Sequence, residues 1–139
     1  YPCMQNLLQV QEKMQQNMQN NFGVFRRGDL MEKGIDELAK TREEVDSMYL
    51  QDKSATFNTA RIEALEMQNL FEVAEATAIT ANERKESRGA HARDDFTERD
   101  DENWLKHSIY YAETKEVSKR DVNYRPKTVQ AFQPMVRSY

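Results

Sequence analysis

The chain of 139 residues carries 20 lysine and arginine side chains against 24 aspartate and glutamate, a formal net charge of −4, and 38% of its residues are hydrophobic. This length predicts one domain with its own core, and so small a charge gives no reason to expect a nucleic acid partner. There is no run of about 18 apolar residues, so no membrane-spanning helix is predicted.

Two amphipathic helices are predicted at the start of the chain. The first ends near Gly23, where helix-stopping residues cluster. Its apolar face, spaced by three and four residues, contains Met4, Leu7, Leu8, Met14 and Met18. The second begins after Gly28-Asp29, at Leu30, because Asp29 and Glu32 have the spacing of a capping box with aspartate as the cap. It runs to about Tyr49 along a stripe formed by Met31, Ile35, Leu38, Val45 and Met48.

A third and longest helix is predicted after the polar break at residues 51–54. It has cap candidates at Ser54, Thr56 and Asn58, and it runs to about Arg88, with Gly89 as the residue that ends it. One apolar stripe contains Ile62, Leu65, Asn69 and Val73, and a second contains Ala60, Ala64, Met67, Phe71, Ala74, Ala78 and Ala81. A helix that is apolar on two sides needs a neighbour on each, so we expect it to be sandwiched between other elements.

The apolar pattern changes from helical to alternating in the last third of the chain. Alternation over residues 105–112 and again over 117–124 predicts a β-hairpin, and the following tail contains two prolines and is expected to be extended. The predicted fold is therefore mainly α, with a three-helix bundle over residues 1–88. An arginine- and aspartate-rich loop, the hairpin and the tail occupy residues 89–139. Since a lone two-stranded hairpin is marginally stable, the chain is expected to lie against a larger body.

Few residues have the pattern of an active site or a metal site. The four scattered glycines form neither a GxGxxG motif nor a P-loop. His91 and His107 lack the spacing of a helical zinc pair. The single cysteine, Cys3, cannot form an internal disulfide and has no histidine near it in sequence to activate it. We therefore assign no catalytic, cofactor-binding or metal-binding residue to this chain.

Residues 86–104 differ from an ordinary solvated loop. The segment contains arginine but no lysine, together with several aspartates, a histidine and the only tryptophan of the chain. Arginine and aspartate form bidentate pairs of defined geometry, which suits a segment that fixes an interface. The predicted interface residues are Arg88, His91, Arg93, Asp94, Arg99, Asp100, Asp101, Trp104 and His107.

The stretch ESRGAHARDDFTERDDENWLKH, residues 86–107, closely resembles the C-terminal region of the flavoprotein subunits of succinate dehydrogenase and fumarate reductase. Residues 20–38 and 57–89 and the ending VNYRPKTVQAFQPMVRSY resemble the same family, and bacterial succinate dehydrogenase is the more similar branch. Related flavoproteins such as L-aspartate oxidase share part of the Arg-Gly-x-His pattern. The continuation over residues 99–104 and the long hairpin tail are more similar to the succinate and fumarate enzymes.

This resemblance implies a spectrin-repeat-like three-helix bundle whose extended tail wraps a flavin domain. The complete subunit would interconvert succinate and fumarate by hydride transfer with covalently bound FAD. The residues of that chemistry belong to earlier parts of the subunit, so this fragment is expected to be inactive alone and to hold no cofactor. The implied partners are the flavin domain of the same subunit, an iron–sulfur subunit and, indirectly, membrane anchor subunits. The implied location is the cytoplasmic face of the bacterial inner membrane.

A freestanding helical interaction module is the competing interpretation, because the polar bundle carries no cofactor motif. The two interpretations differ in one expected observation. A fragment of the flavoprotein should bind the flavin-containing remainder of its subunit, and Arg88→Ala or Arg93→Ala should weaken that binding. An autonomous enzyme would instead show a flavin spectrum or succinate oxidation from these residues alone, which we do not expect.

Overall fold

A computed structural model describes residues 2–47 and 54–136 and contains three long helices, a β-hairpin and an extended tail, which confirms the predicted fold class. The helices are α1 (Pro2–Asn21), α2 (Gly28–Asp46), α3 (Thr59–Glu83) and the short α4 (Asp101–Trp104). The strands are β1 (Phe25–Arg26), β2 (Ala92–Arg93), β3 (Lys106–Tyr111) and β4 (Glu116–Asp121). The predicted positions Met48, Tyr49 and 51–53 lie outside the described residues.

The core lies where the three long helices meet. Its buried side chains are Leu7, Val10, Met14, Phe22, Met31, Leu38, Val45, Met67, Phe71, Ala74, Ala78 and Ala81. The alanine-rich stripe of α3 therefore faces the core. A small polar layer is buried beside it: Asn17 donates to the carbonyl of Gly34 at 2.8 Å, and its Oδ1 accepts from Asn21 at 2.7 Å. Because buried amides need partners, these bonds fix how α1 sits against α2.

The contact between α1 and α2 requires glycine at position 34. A Cβ atom at Gly34 would lie 2.4 Å from Cε2 of Phe22 and 2.8 Å from Cβ of Asn21. Alanine normally favours a helix over glycine, but this overlap opposes it, so we expect Gly34→Ala to lower the free energy of unfolding by about 1–3 kcal/mol. Urea denaturation measures the change, with Asp36→Ala on the exposed face of α2 as the control. A stabilised Gly34→Ala variant would contradict the close packing.

The N-terminus of α2 is not capped as predicted. The helix already begins at Gly28, so Asp29 lies in its first turn and pairs with Arg27 instead of capping. The predicted capping box is therefore wrong. The amide of Gly28 donates to Oδ2 of Asp95 at 2.9 Å. The cap comes from 67 residues further along the chain, where no local pattern could reveal it.

α3 begins as predicted but ends early. Oδ1 of Asn58 accepts a hydrogen bond from a backbone amide of the first turn at 2.9 Å, which confirms this cap. The helix ends at Glu83, so the prediction that it continues to about Arg88 is wrong. Gly89 has a φ of +58°, but it lies in the turn between Arg88 and His91, whose backbones bond to each other at 2.8 and 3.0 Å. That turn, and not the helix, needs the glycine.

One face of α3 has no neighbour within the described chain. Ile62, Leu65 and Val73 are 55%, 52% and 65% exposed. The prediction that α3 is sandwiched on both sides is therefore wrong for this stripe, because α1, α2 and the hairpin all pack on its other sides. Leu8 of α1, predicted on the core face, is also exposed.

The predicted hairpin is present and is fixed to the bundle. β3 and β4 pair antiparallel along their whole lengths. Lys115 in the connecting turn has a φ of +57°, and its Nζ lies 2.7 Å from Oε1 of Glu75 on α3. β1 and β2, which were not predicted, form a two-residue parallel pair with Phe25 opposite Ala92. This pair connects the arginine- and aspartate-rich segment to the link between α1 and α2.

Candidate functional site

The arginine- and aspartate-rich segment folds against the end of the bundle where α3 ends and α2 begins. Its polar side chains form three centres, around Glu86, around the pair Arg93 and Asp95, and around His91. We call these three centres together the Arg–Asp network. They bring together residues 26–28, 81–88, 91–95 and 100–101.

Glu86 is the fully buried acid of the network. Its carboxylate accepts hydrogen bonds from Arg84 at 2.7 Å, from Arg88 at 2.8 and 3.1 Å, and from the amide of Asp100 at 2.8 Å. Burial opposes ionisation of Glu86, but the bonds from Arg88, the Asp100 amide and Arg84 hold its pKa below its usual value. The charged carboxylate therefore joins the end of α3 to the start of α4.

Trp104 is buried, and two cations lie over its ring. The guanidinium carbon of Arg84 lies 5.2 Å from the centroid of the indole ring, and Nζ of Lys119 lies 3.4 Å from it. Arg84 also donates to the carbonyls of Trp104 at 2.8 Å and Lys106 at 2.6 Å. Through these contacts Arg84, which directly follows α3, holds α4 and the first residue of β3, Lys106.

Arg93, only 3% exposed, joins two helix ends. Its Nη1 donates to three carbonyls at the end of α3 at 2.9–3.3 Å, and its Nε and Nη2 each donate to Asp95 at 2.7 Å. Asp95 in turn accepts from the amide of Gly28 at the start of α2. The Arg93 guanidinium holds the pKa of Asp95 below its usual range. A cation at the C-terminus of α3 and an anion at the N-terminus of α2 both complement the helix dipoles.

His91 is half-buried among arginines. Its Nδ1 lies 2.9 Å from Nη1 of Arg26, and its Nε2 lies 3.0 Å from the carbonyl oxygen of Arg84. Because a guanidinium only donates and a carbonyl only accepts, this geometry selects the neutral ring with its proton on Nε2. Burial lowers the pKa of His91 from its ordinary value, and the charges of Arg26, Arg93 and Arg84 lower it further.

The His91 geometry makes stability depend on pH. We expect the free energy of unfolding to fall as the pH drops below about 6.5, because unfolded His91 then binds a proton that the folded ring does not. The free energy of unfolding stops falling once the pH is below the pKa of His91 in the folded protein. Urea denaturation between about pH 5 and about pH 7 measures it, in a range above the ordinary carboxylate pKa values. His91→Gln should remove most of the dependence, while exposed His107→Gln should keep it. An unchanged dependence in His91→Gln would contradict this account.

Several predicted interface residues use their polar groups inside the chain. Arg88 and Arg99 both pair with Asp101. Arg99 also donates to the carbonyl of Met135 at 2.9 Å and so contacts the tail. Asp100 accepts from a backbone amide of α4 at 3.0 Å and caps that helix. Within the described chain, these side chains hold the arginine- and aspartate-rich segment together.

Asp94 and His107 are placed differently from the other predicted interface residues. Both are exposed, and within the described residues neither side chain has a hydrogen bond. His107 lies with Tyr124 at the edge of a shallow cleft of about 300 Å³. That any of the nine residues contacts another body stays a prediction, and Asp94 and His107 are the two that are exposed and make no side-chain hydrogen bond within the described residues.

Sequence reasoning missed four residues that organise the network, namely Arg26, Arg84, Glu86 and Asp95. Arg26 is 65 residues from His91, so no local signal could connect them. Glu86 did carry a signal, because Arg84 and Arg88 lie two residues to either side of it. An acid placed between two arginines is a candidate for a buried charge hub.

The start of α2 does not offer its first amide to a phosphate group such as those of FAD. The backbone amide at the start of α2, the kind of group that binds phosphate, is already taken by Asp95. Within residues 2–47 and 54–136 there is no group of three or more potential metal ligands, and no helix there is long and apolar enough to cross a membrane.

Comparison with known proteins identifies the family. A family model described as fumarate reductase flavoprotein C-term matches residues 11–139. The chain belongs to this family. The succinate dehydrogenase flavoprotein subunit of Coxiella burnetii is 47% identical over 128 residues, which cover 92% of this chain and 22% of that protein. The mitochondrial succinate dehydrogenase [ubiquinone] flavoprotein subunit of Oryza sativa is 41% identical over 137 residues, covering 94% of this chain and 21% of that protein.

Solved structures of the fumarate reductase flavoprotein family share the fold. FrdA of E. coli quinol fumarate reductase superposes with a TM-score of 0.78 at 35% identity, over 91% of this chain and 22% of that chain. The resemblance carried by residues 86–107 is thereby confirmed. The chain spans about 22% of the length of these relatives.

Proposed function

We propose that this chain is the C-terminal bracing domain of a succinate dehydrogenase flavoprotein subunit. The single observation that carries this proposal is the tail, residues 122–136, which has no regular structure. Its large apolar side chains Val129, Phe132, Met135 and Val136 are 69–86% exposed. So many exposed apolar groups on an extended segment need a surface that covers them. The flavin domain of the same subunit supplies it.

The Arg–Asp network sets where the tail begins. It fixes α4 and β3 to the end of the bundle, and β4 is paired with β3 over its whole length. The tail therefore leaves from a defined position and direction, and Arg99 contacts it again near Met135. In this proposal the chain contributes position and rigidity, while FAD binding and succinate–fumarate chemistry belong to the remainder of the subunit.

The assembly in which the chain acts follows from the same proposal. The remainder of the subunit passes electrons to an iron–sulfur subunit, and membrane anchor subunits hold the complex at the cytoplasmic face of the inner membrane. The names of the relatives, which are flavoprotein subunits of succinate dehydrogenase and fumarate reductase, support membership in such a multisubunit enzyme. Bacterial succinate dehydrogenase is favoured over fumarate reductase because the Coxiella protein is 47% identical and the Haemophilus influenzae fumarate reductase subunit 34%.

The test changes the tail in the longer flavoprotein. Phe132→Ser combined with Met135→Ser should weaken docking of the tail by more than about tenfold, because burying each of these side chains is worth about 1.5–3 kcal/mol. Flavin retained through gel filtration and succinate-dependent dye reduction measure the effect. Gln130→Ser with Gln133→Ser, in the same tail, is the matched control. Full flavin content and activity in the Phe132/Met135 variant would contradict the bracing role.

A further inference from the structure

A groove runs between α1 and α3 on the side of the bundle that α2 does not cover. Leu7 and Met67 form its buried floor, and Leu8 and Leu70, 57% and 40% exposed, form its walls. Its volume is about 480 Å³. The floor is already part of the core, so an apolar side chain placed here would extend the core directly.

The exposed stripe of α3 continues this groove outward. Ile62, Leu65 and Val73 recur at helical spacing on the face next to Leu70. The apolar surface is therefore a strip along the helix and not a single point. A strip of this kind, beside a groove between two helices, fits the apolar face of another helix.

The groove is acidic at its rim. Glu63 and Glu66 line it from α3, α1 contributes the uncharged Gln11, and no lysine or arginine lines it among the described residues. A partner that buries apolar groups here therefore gains from lysine or arginine flanking them. A second copy of this chain would bring the same glutamates together, and like charges oppose that pairing.

We propose that the α1–α3 groove binds an amphipathic helix whose apolar face is flanked by basic side chains, so that the partner becomes the fourth helix of the bundle. This site is separate from the tail and from the Arg–Asp network, so it does not depend on the bracing role proposed above. It also supplies the second neighbour that the two-sided apolar pattern of α3 requires.

A synthetic helix tests the charge and shape of the groove. The probe has about 18 residues, with leucines at heptad spacing flanked by lysines, and a fluorescent label. Its control keeps the leucines and replaces every lysine by glutamate. Fluorescence anisotropy with the full chain should show binding of the lysine probe, and binding of the glutamate probe at least about tenfold weaker.

Variants of the chain locate the binding. Glu63→Lys with Glu66→Lys should weaken binding of the lysine probe by about tenfold. Glu32→Lys with Asp36→Lys, the same change of charge on the exposed face of α2, should change it less than about twofold. Leu70→Asp should abolish binding while the far-UV circular dichroism stays unchanged.

Three results would overturn the proposal. Equal losses in the two lysine double variants would show attraction to net charge and not to the groove. No binding of the lysine probe would show that the groove does not accept such a helix. A dimer in analytical ultracentrifugation that Leu70→Asp dissociates would assign the groove to a second copy.

Discussion

Glu86→Ala is expected to lower the free energy of unfolding by about 3–5 kcal/mol, because it removes the acid from a buried ion cluster and leaves its cations without a partner. Glu86 is fully buried, and its carboxylate bonds to Arg84, Arg88 and the Asp100 amide. Urea denaturation followed by far-UV circular dichroism measures the loss. Glu86 joins the end of α3 to the start of α4 and also holds Arg84, which bonds to Trp104 and Lys106, so the hairpin should become mobile together with α4.

Two further variants separate charge from shape at this position. Glu86→Gln keeps the volume and most of the geometry but removes the charge, so it should lose most of the same stability. Glu83→Gln, at the exposed end of α3, is the matched control and should leave stability unchanged. A loss below about 1 kcal/mol in both Glu86 variants would contradict a buried charge hub.

Arg93→Ala is the second substitution for which we expect a large effect, about 3–5 kcal/mol. The Arg93 guanidinium makes five hydrogen bonds, to Asp95 and to the carbonyls at the end of α3. Arg93→Lys should lose nearly as much stability as Arg93→Ala, because an ammonium group lacks the planar fork from which a guanidinium donates in two directions. The free energy of unfolding in urea is the measurement.

A double-mutant cycle tests the bridge between the two helices. Arg93→Ala and Asp95→Asn should show a coupling energy of about 1–3 kcal/mol, since each side chain stabilises the fold less once its partner is removed. Arg27→Ala, which breaks the exposed pair with Asp29, is the control and should cause no measurable change. Full stability of Arg93→Lys would show that the bidentate geometry is not needed.

These internal roles change how the interface hypothesis should be tested. Arg88→Ala and Arg93→Ala remove contacts within the chain, so weaker binding to a flavin domain would partly reflect local unfolding. Asp94→Asn and His107→Gln alter exposed side chains that have no hydrogen bond within the described residues. A loss of binding in these two variants, at unchanged stability, would identify an interface directly.

The helices and the hairpin could be predicted because their signals are local. The core stripe of α3 follows from side chains three and four residues apart, and the β3–β4 hairpin follows from alternation around one polar turn. The Asn58 cap is equally local, because the side chain bonds to an amide three residues later. Each of these signals connects residues that lie only a few positions apart in the chain.

For the Arg–Asp network, the sequence predicts the residue types but not the contacts between them. That Asp95 caps α2 and that His91 meets Arg26 depends on contacts across 67 and 65 residues, which periodicity does not report. Asp29 had the right residue type and spacing for a cap, but the helix begins two residues too early for it, with Arg27 at the cap position. The apolar stripe of α3 that contains Ile62, Leu65 and Val73 could be read from the sequence, but within the described residues it is exposed and not sandwiched.

The coding sequence upstream of Tyr1 tests the central claim most directly. A bracing domain of a flavoprotein subunit predicts a continuous reading frame that encodes, far upstream, a strand–GxGxxG–helix unit for binding FAD. A start codon immediately before Tyr1 would contradict the account, and the chain would then be a freestanding helical module.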